Sequence, residues 1–184
     1  MKQYLITDPK YYSDNTTLFR KNLTRVLKNH HIDIACFRDK ISSNYEELAE
    51  VFIEVCNEFN IETTLINSHI NLAKKLNATG VHLTSTQFNE IKEAKDNDLY
   101  TIISCHNYTD IEKAQSCHAN CVTYSPIFEV ANKGEPKGIN KLKEAIRIFE
   151  DIDIIALGGI TSNEDLKKVA HAKPYGFASI RYFI

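Results

Sequence analysis

Short apolar runs alternate with helical patterns along the whole chain. Apolar residues that recur three and four positions apart are typical of amphipathic helices, whereas short β-branched runs between them are typical of buried strands. The clearest helical stripe passes through Tyr45, Leu48, Phe52, Val55 and Phe59. The predicted strands number eight and are Gln3–Thr7, Asp33–Phe37, Thr63–Ile66, Gly80–Leu83, Thr101–Ser104, Cys121–Tyr124, Ile154–Leu157 and Tyr175–Ser179.

This alternation predicts a parallel sheet with right-handed helical crossovers. Eight strands favour closure into a (β/α)8 TIM barrel, and an open doubly wound sheet is the alternative. The sequence ends at Ile184, directly after the eighth predicted strand, so we expect a short barrel that lacks the final covering helix. Such a barrel would leave apolar surface for a second copy to cover, which predicts a homo-oligomer. The absence of linker-like sequence predicts one domain over residues 1–184.

Two capping boxes predict where helices begin. Ser43 stands three residues before Glu46, at the start of the clearest helical stripe. Thr161 stands three residues before Glu164, directly after the paired glycines near the C-terminus. In such a box, the first side chain accepts from a backbone amide and the second side chain accepts in return.

Composition excludes several classes of protein. The 184 residues carry a formal net charge of −2 with both signs interspersed, so the basic stripe of a nucleic-acid-binding protein is missing. The N-terminus, from Met1 to Asp8, has no apolar run long enough for a signal peptide or a membrane span. The five cysteines are an odd, scattered set without a CxxC pair, which indicates reduced thiols and a cytoplasmic protein. No group of residues has the spacing of a usual zinc site.

Chemistry-bearing residues follow most of the predicted strands. In a TIM barrel the carboxyl ends of the strands form the functional rim, and the loops after strands seven and eight often bind phosphate. Glycine lets the backbone approach an anion closely, so Gly158, Gly159, Ala178 and Ser179 are predicted to bind a phosphate. The other candidates on this rim are Arg38, Lys40, Asn67, Ser104 and His106.

Alternative roles exist for the charged and imidazole groups. Arg38 and Lys40 lie two residues apart and point the same way, either toward a ligand or into an ion pair with Asp8 or Asp39. His82 alternates with apolar neighbours, so we expect it to be a hydrogen-bonded group inside the barrel.

Seven motifs also occur in one order along the chain, and they are Ile-Thr-Asp, Arg-x-Lys, Gly-Val-His-Leu, Ser-x-His, Ser-Pro-Ile-Phe, Lys-Gly and Ala-x-Gly-Gly-Ile. Together they resemble the thiamine-phosphate synthase/thiazole tautomerase family over nearly the whole chain, from Tyr4 to Ile180. The resemblance implies a TIM barrel that acts on the phosphorylated thiazole of thiamine biosynthesis.

The departures from the family pattern concern the synthase reaction. A family synthase joins a pyrimidine diphosphate to the thiazole phosphate and uses Mg²⁺, held by two aspartates, to stabilise the departing pyrophosphate. Those aspartates are replaced here by Ser68 and Gln87, a hydroxyl and a neutral amide that suit Mg²⁺ poorly. A family glutamine is replaced by Cys36, and two threonines are replaced by Val130 and Asn132.

The thiazole phosphate end matches the family better. The resemblance implies that Arg38, Lys40 and Lys133 are retained substrate contacts. It also implies that His106 carries the proton in a tautomerase, for which an imidazole pKa near ~6.5 is suitable. Ser104, two residues earlier, would orient His106 or the substrate carboxylate. The alternative for His106 is an ordinary surface histidine.

Three functions therefore stay open. The first is a thiazole tautomerase that converts the carboxythiazole phosphate tautomer to its aromatic form without a cofactor. The second is a divergent thiamine-phosphate synthase, which alone would need Mg²⁺. The third is a non-catalytic protein that binds a phosphorylated ligand. The partner in each case is a small phosphorylated molecule, and no nucleic acid or membrane is expected.

Overall fold

Eight parallel strands close into a barrel in chain order, which confirms the predicted fold. A computed structural model describes residues 1–131 and 133–184. Asn132, one of the replaced threonine positions, lies outside the described residues. The strand bounds differ from the predicted ones by at most one residue at each end. They are β1 Lys2–Ile6, β2 Ile34–Phe37, β3 Thr63–Asn67, β4 Gly80–Leu83, β5 Tyr100–Cys105, β6 Cys121–Tyr124, β7 Asp153–Leu157 and β8 Gly176–Ser179.

Helices surround the barrel and connect consecutive strands. Within the described residues they are α1 Pro9–Tyr12, α2 Thr16–Asn29, α3 Tyr45–Glu58, α4 Ile70–Lys75, α5 Ile91–Asp96, α6 Tyr108–Ser116, α7 Gly138–Ile148 and α8 Asn163–Ala170, with a 3₁₀ turn at Phe88–Glu90 before α5. None of these helices is long and apolar enough to cross a membrane.

The helix α8 does begin with a capping box, but one residue later than predicted. The Ser162 hydroxyl accepts from the Asp165 amide at 3.2 Å, and the Asp165 carboxylate accepts from the Ser162 amide at 3.1 Å. The same carboxylate accepts from the Thr161 amide at 3.1 Å. The box predicted at Thr161 and Glu164 is therefore wrong, because Asp165, not Glu164, accepts from the backbone amide of the capping residue.

The box predicted at Ser43 and Glu46 is also wrong. The helix α3 follows Asn44 and has no side-chain cap. The preceding loop is held by Asp39 instead, whose carboxylate accepts from the Ile41 amide at 2.8 Å. Glu46 pairs with a lysine of α4 rather than with the start of its own helix.

Alternating strand residues build two core layers. The barrel interior is filled by Tyr4, Ile6, Ile34, Cys36, Leu65, Ile102, Cys121, Ile155 and Ala178. The residues between them face outward and pack under the helices, as Leu5, Ala35 and Phe177 do. This period of two fixes which side chains reach the inside of the barrel.

No helix follows β8 in the described chain, as expected, but the tail covers the strand itself. The Phe183 ring stacks on the Phe177 ring with centroids 5.7 Å apart and is only 1% exposed. The Tyr182 ring packs edge-on against Phe177 at 5.1 Å, and its hydroxyl donates to Asn163 of α8 at 2.8 Å. The expectation of a bare apolar surface at β8 is therefore wrong, and a homo-oligomer stays a prediction.

Candidate active site

His82 lies inside the barrel, as its alternation with apolar residues predicted. Its ring is 4% exposed, and both ring nitrogens have partners. The Nδ1 atom is 2.7 Å from the Tyr4 hydroxyl, and the Nε2 atom is 3.0 Å from the Ser104 hydroxyl and 3.5 Å from that of Thr123. Burial, together with the charge of Arg38, lowers the pKa of His82 from 6.5 to about 4. The ring is therefore neutral near pH 7.

His106 follows β5 at the carboxyl end of the barrel and is half-buried. Its Nδ1 atom is 3.1 Å from the Ser125 carbonyl oxygen and 3.2 Å from the Ser125 hydroxyl. A carbonyl oxygen only accepts, so these partners assign the proton of the neutral ring to Nδ1. The Nε2 lone pair has no partner within the described part of the chain, and it is left free to take up a proton.

The residue that orients His106 differs from the expected one. Ser104 was predicted to orient His106 or the substrate carboxylate, and its hydroxyl contacts His82 rather than His106. Ser125, which the sequence reasoning did not single out, holds the His106 ring from the neighbouring strand end. The available signal was its place directly after β6, in the Ser-Pro-Ile-Phe motif. The backbone of His106 is fixed as well, because its amide donates to the Asp110 carboxylate at 2.8 Å.

The four residues predicted to bind phosphate come together where β7 and β8 end. Ala178 pairs with Leu157 across the two strands, and Ser179 is the last residue of β8. The Ser179 hydroxyl donates to the Ile160 carbonyl at 2.7 Å, which ties the two strand ends to each other. The amides of Gly158, Gly159 and Ile180 find no acceptor among the described residues. Three such donors at the mouth of a barrel are suited to hold an anion.

The glycine pair also meets a packing demand. Gly158 and Gly159 have φ angles of +99° and +73°, which L side chains rarely adopt. A Cβ on Gly159 would lie 2.6 Å from the Phe128 Cβ, because the loop after β6 rests on the pair. The Phe128 amide donates to the Gly158 carbonyl at 2.9 Å. These glycines are thus required by the fold as well as suited to a ligand.

Two of the predicted cations, Arg38 and Lys40, follow β2 at the rim. An Arg38 guanidinium nitrogen is 3.3 Å from an Asp8 carboxylate oxygen, so one of the ion pairs considered above does form. Lys40 is exposed, and its pKa is lowered by the charge of Arg38, by burial and by the charge of Lys133. Three positive charges therefore share one region, although only Arg38 is held by a carboxylate in the described residues.

Asn67 ends β3 and links it to the next strand. Its side-chain amide donates to the His82 carbonyl at 2.8 Å, and its own carbonyl accepts from the Tyr45 hydroxyl at 3.2 Å. The Asn67 side-chain oxygen has no donor among the described residues, so that atom is the one left for a substrate. Lys133 lies in the exposed loop after β6.

The two positions that hold Mg²⁺ in family synthases are neighbours here. The Gln87 side-chain amide donates to the Ser68 carbonyl at 3.1 Å and to the Glu90 carboxylate at 2.8 Å. Its oxygen accepts from the Thr84 amide at 3.0 Å. Both side chains are neutral, and that of Gln87 is already hydrogen-bonded, so they do not match the charged oxygen ligands that Mg²⁺ prefers. Within residues 1–131 and 133–184, no group of three or more His, Cys, Asp or Glu residues could hold a metal ion.

These groups all belong to the carboxyl ends of the strands, so they share one end of the barrel. A histidine with a free ring nitrogen, an anion cradle and a group of cations suit acid–base chemistry on a bound anionic molecule.

Comparison with known proteins bears on the identity of that molecule. A family profile described as thiamine monophosphate synthase matches residues 3–183, which confirms the family that the motifs indicated. The chain is 30% identical to a putative thiamine-phosphate synthase 2 of Aquifex aeolicus, over 98% of this chain and 96% of that protein. It is 24% identical to a thiamine-phosphate synthase of Lactococcus lactis subsp. lactis, over 92% of this chain and 83% of that protein.

A solved structure gives the same fold. Thiamine phosphate pyrophosphorylase from Pyrococcus furiosus matches with a TM-score of 0.80 over 97% of this chain and 85% of that chain, at 19% identity. The names of these relatives are those of synthases, and the comparisons do not separate the tautomerase branch from the synthase branch.

Proposed function

Because the chain belongs to the thiamine monophosphate synthase family, we propose that it is a thiazole tautomerase of cytoplasmic thiamine biosynthesis. In this proposal it binds the phosphorylated carboxythiazole and converts it to the aromatic tautomer, with His106 as the catalytic residue. The observation that carries the proposal is the His106 ring, whose Nδ1–H is held by Ser125 while Nε2 stays free.

The proton transfer needs only this one side chain. His106 Nε2 removes a proton from one atom of the thiazole ring and returns it to another, so no net charge or group leaves the substrate. When Nε2 is protonated, the Nδ1–H group still donates to the Ser125 carbonyl, and that hydrogen bond becomes stronger because the ring is then charged. The ring therefore keeps its position through both halves of the reaction.

Separate groups hold the substrate. The amides of Gly158, Gly159 and Ile180 receive the phosphate, since they have no acceptor in the described residues. Arg38, Lys40 and Lys133 attract the anionic substrate to the rim. Asn67 offers the side-chain oxygen that the fold leaves unused.

Thiamine-phosphate synthase is the second candidate, and the names of the relatives favour it. The group of three cations would suit a pyrophosphate. The replaced pair Ser68 and Gln87 opposes it, because the Gln87 amide already joins two loops.

The decisive test uses the carboxythiazole phosphate tautomer and follows its conversion to the aromatic form by ultraviolet absorbance and chromatography. We expect turnover by the unmodified protein and a loss of about 10²–10⁴-fold in His106→Asn. The affinity for the aromatic thiazole phosphate should change little, because the phosphate cradle is separate. The control is His69→Asn, a rim histidine that precedes α4 without capping it, and it should keep full turnover.

A second reaction mixture separates the candidates. It contains the aromatic thiazole phosphate, the pyrimidine diphosphate and Mg²⁺. Efficient formation of thiamine phosphate by the unmodified chain would replace the tautomerase by the synthase. Tight binding of the thiazole phosphate with neither reaction would instead indicate a non-catalytic binding protein. Installing carboxylates with Ser68→Asp and Gln87→Asp should raise any weak coupling that the unmodified chain shows.

A further inference from the structure

A line of hydrogen bonds inside the barrel ends at the candidate active site. It runs from the Tyr4 hydroxyl to His82 Nδ1 at 2.7 Å, and from His82 Nε2 to the Ser104 hydroxyl at 3.0 Å. Tyr4 is fully buried, His82 is 4% exposed, and Ser104 is half-buried at the rim. The line thus joins a dry interior to a hydroxyl that a ligand can reach.

The direction of this line follows from the Tyr4 proton. A buried hydroxyl hydrogen needs an acceptor, and His82 Nδ1 is the strong acceptor within hydrogen-bond distance of Tyr4 in the described chain. The Cys36 thiol also lies beside this hydroxyl, but sulfur is a weak acceptor. Tyr4 therefore donates to Nδ1, and the single proton of the neutral His82 ring is on Nε2.

This tautomer of His82 determines the hydrogen-bonding role of the Ser104 hydroxyl. The His82 Nε2–H group donates to the Ser104 oxygen, which at 3.0 Å is nearer than the Thr123 oxygen at 3.5 Å. The hydrogen of the Ser104 hydroxyl then has no acceptor among the described residues. We propose that His82 is a positioning residue that makes Ser104 a hydrogen-bond donor toward the mouth of the barrel. Ser104 then selects a substrate that presents an oxygen acceptor, and it disfavours one that presents an N–H or O–H group there.

The position of Ser104 indicates which oxygen it meets. Ser104 and His106 are two residues apart at the end of β5, so their side chains leave the backbone on the same side. Under the proposed function, the acceptor is the carboxylate attached to the thiazole ring whose proton His106 moves. This last assignment depends on the proposed function, whereas the direction of the hydrogen bonds does not.

The direction can be measured without any substrate. Long-range ¹H–¹⁵N correlation spectra of protein labelled with ¹⁵N-histidine report which ring nitrogen carries the proton. We expect His82 to be protonated on Nε2 throughout pH 5.5–8 and His106, when neutral, to be protonated on Nδ1. The signals are assigned by their loss in His82→Gln and His106→Asn. A His82 ring protonated on Nδ1, or an equal mixture of the two tautomers, would overturn the proposal.

Variants then test what the direction does for catalysis. Tyr4→Phe removes the donor that fixes the His82 tautomer, so the tautomer should become mixed and turnover should fall about tenfold, the effect of one hydrogen bond. Tyr12→Phe is the matched control. The Tyr12 hydroxyl is also buried and has no hydrogen-bond partner in the described residues, so turnover should not change.

A conservative replacement separates positioning from mere packing. Glutamine can accept from Tyr4 through its oxygen and donate to Ser104 through its nitrogen, so His82→Gln should keep most of the turnover. His82→Leu fills similar space without either bond, and its turnover should fall at least as far as that of Tyr4→Phe. Equal turnover in the two His82 variants would refute the role of His82. If the unmodified protein shows no tautomerase activity, the proposed function fails, and the spectra alone still decide the direction of the line.

Discussion

His82 lies in β4 and His106 directly follows the neighbouring strand β5, yet their imidazole rings have different surroundings. His82 is enclosed by side chains of the barrel interior, while His106 lies half-buried at the rim. The alternation of His82 with apolar residues along β4 predicted that its ring lies inside the barrel. The partners could not be predicted, because the contact between His106 and Ser125 joins two strand ends whose register exists only in the closed barrel.

The buried ring predicts how stability depends on pH. The pKa of His82 is lowered from 6.5 to about 4 in the folded protein. The unfolded chain therefore binds a proton at His82 below pH 6.5, and the folded chain does not until about pH 4. The free energy of unfolding should fall by about 3 kcal/mol between pH 6.5 and pH 4 through this residue alone. Urea denaturation at several pH values measures it.

His82→Gln is the control for this prediction, since glutamine does not titrate. Its free energy of unfolding should be flatter between pH 6.5 and pH 4 than that of the unmodified protein. Equal slopes in the two proteins would show that another group causes the dependence.

At the scale of elements, strands were predicted more accurately than helix starts. The β-branched runs fix each strand to within one residue. Helix starts depend on competition between nearby polar side chains, which spacing alone does not resolve. The Asp39 carboxylate accepts from a backbone amide of the loop before α3. In α8, Asp165 rather than Glu164 completes the capping box.

The glycine pair after β7 gives a prediction at this scale. Gly159→Ala places a Cβ at a φ of +73° and 2.6 Å from the Phe128 Cβ. We expect the free energy of unfolding to fall by about 3 kcal/mol, from backbone strain and from the displaced loop after β6. Affinity for inorganic phosphate should fall too, because the amides of the cradle move with that loop. An aspartate here would meet the same clash, so it would disturb the fold as well as the anion site.

Gly138→Ala is a matched control for that variant. Gly138 has a φ of +72°, almost that of Gly159, but a Cβ there would have no atom within 4 Å. Only the backbone strain remains, so the loss should be about 1 kcal/mol, with phosphate affinity unchanged. Equal losses in the two glycine variants would mean that contact with Phe128 contributes nothing.

For the whole molecule, the sequence predicted eight strands that close into a barrel, and the structure shows this barrel. It did not reveal which residues cover the outer face of β8. Tyr182 and Phe183 follow β8 without any helical period, and their cover for Phe177 depends on a tight turn of the chain. The sequence therefore contains no pattern that predicts the packing of these two rings against β8.

The tail gives the last prediction. Phe183 stacks on Phe177 and also forms an edge-type contact with the His30 ring at a centroid distance of 5.5 Å. Phe183→Ala removes this buried ring and should lower the free energy of unfolding by about 3 kcal/mol in urea denaturation. Ile184→Ala is the control, because Ile184 is 50% exposed, and its loss should stay within about 0.5 kcal/mol. If Phe183→Ala is as stable as the control, then the tail does not cover β8 in solution. Light scattering of the unmodified protein separately tests the predicted homo-oligomer.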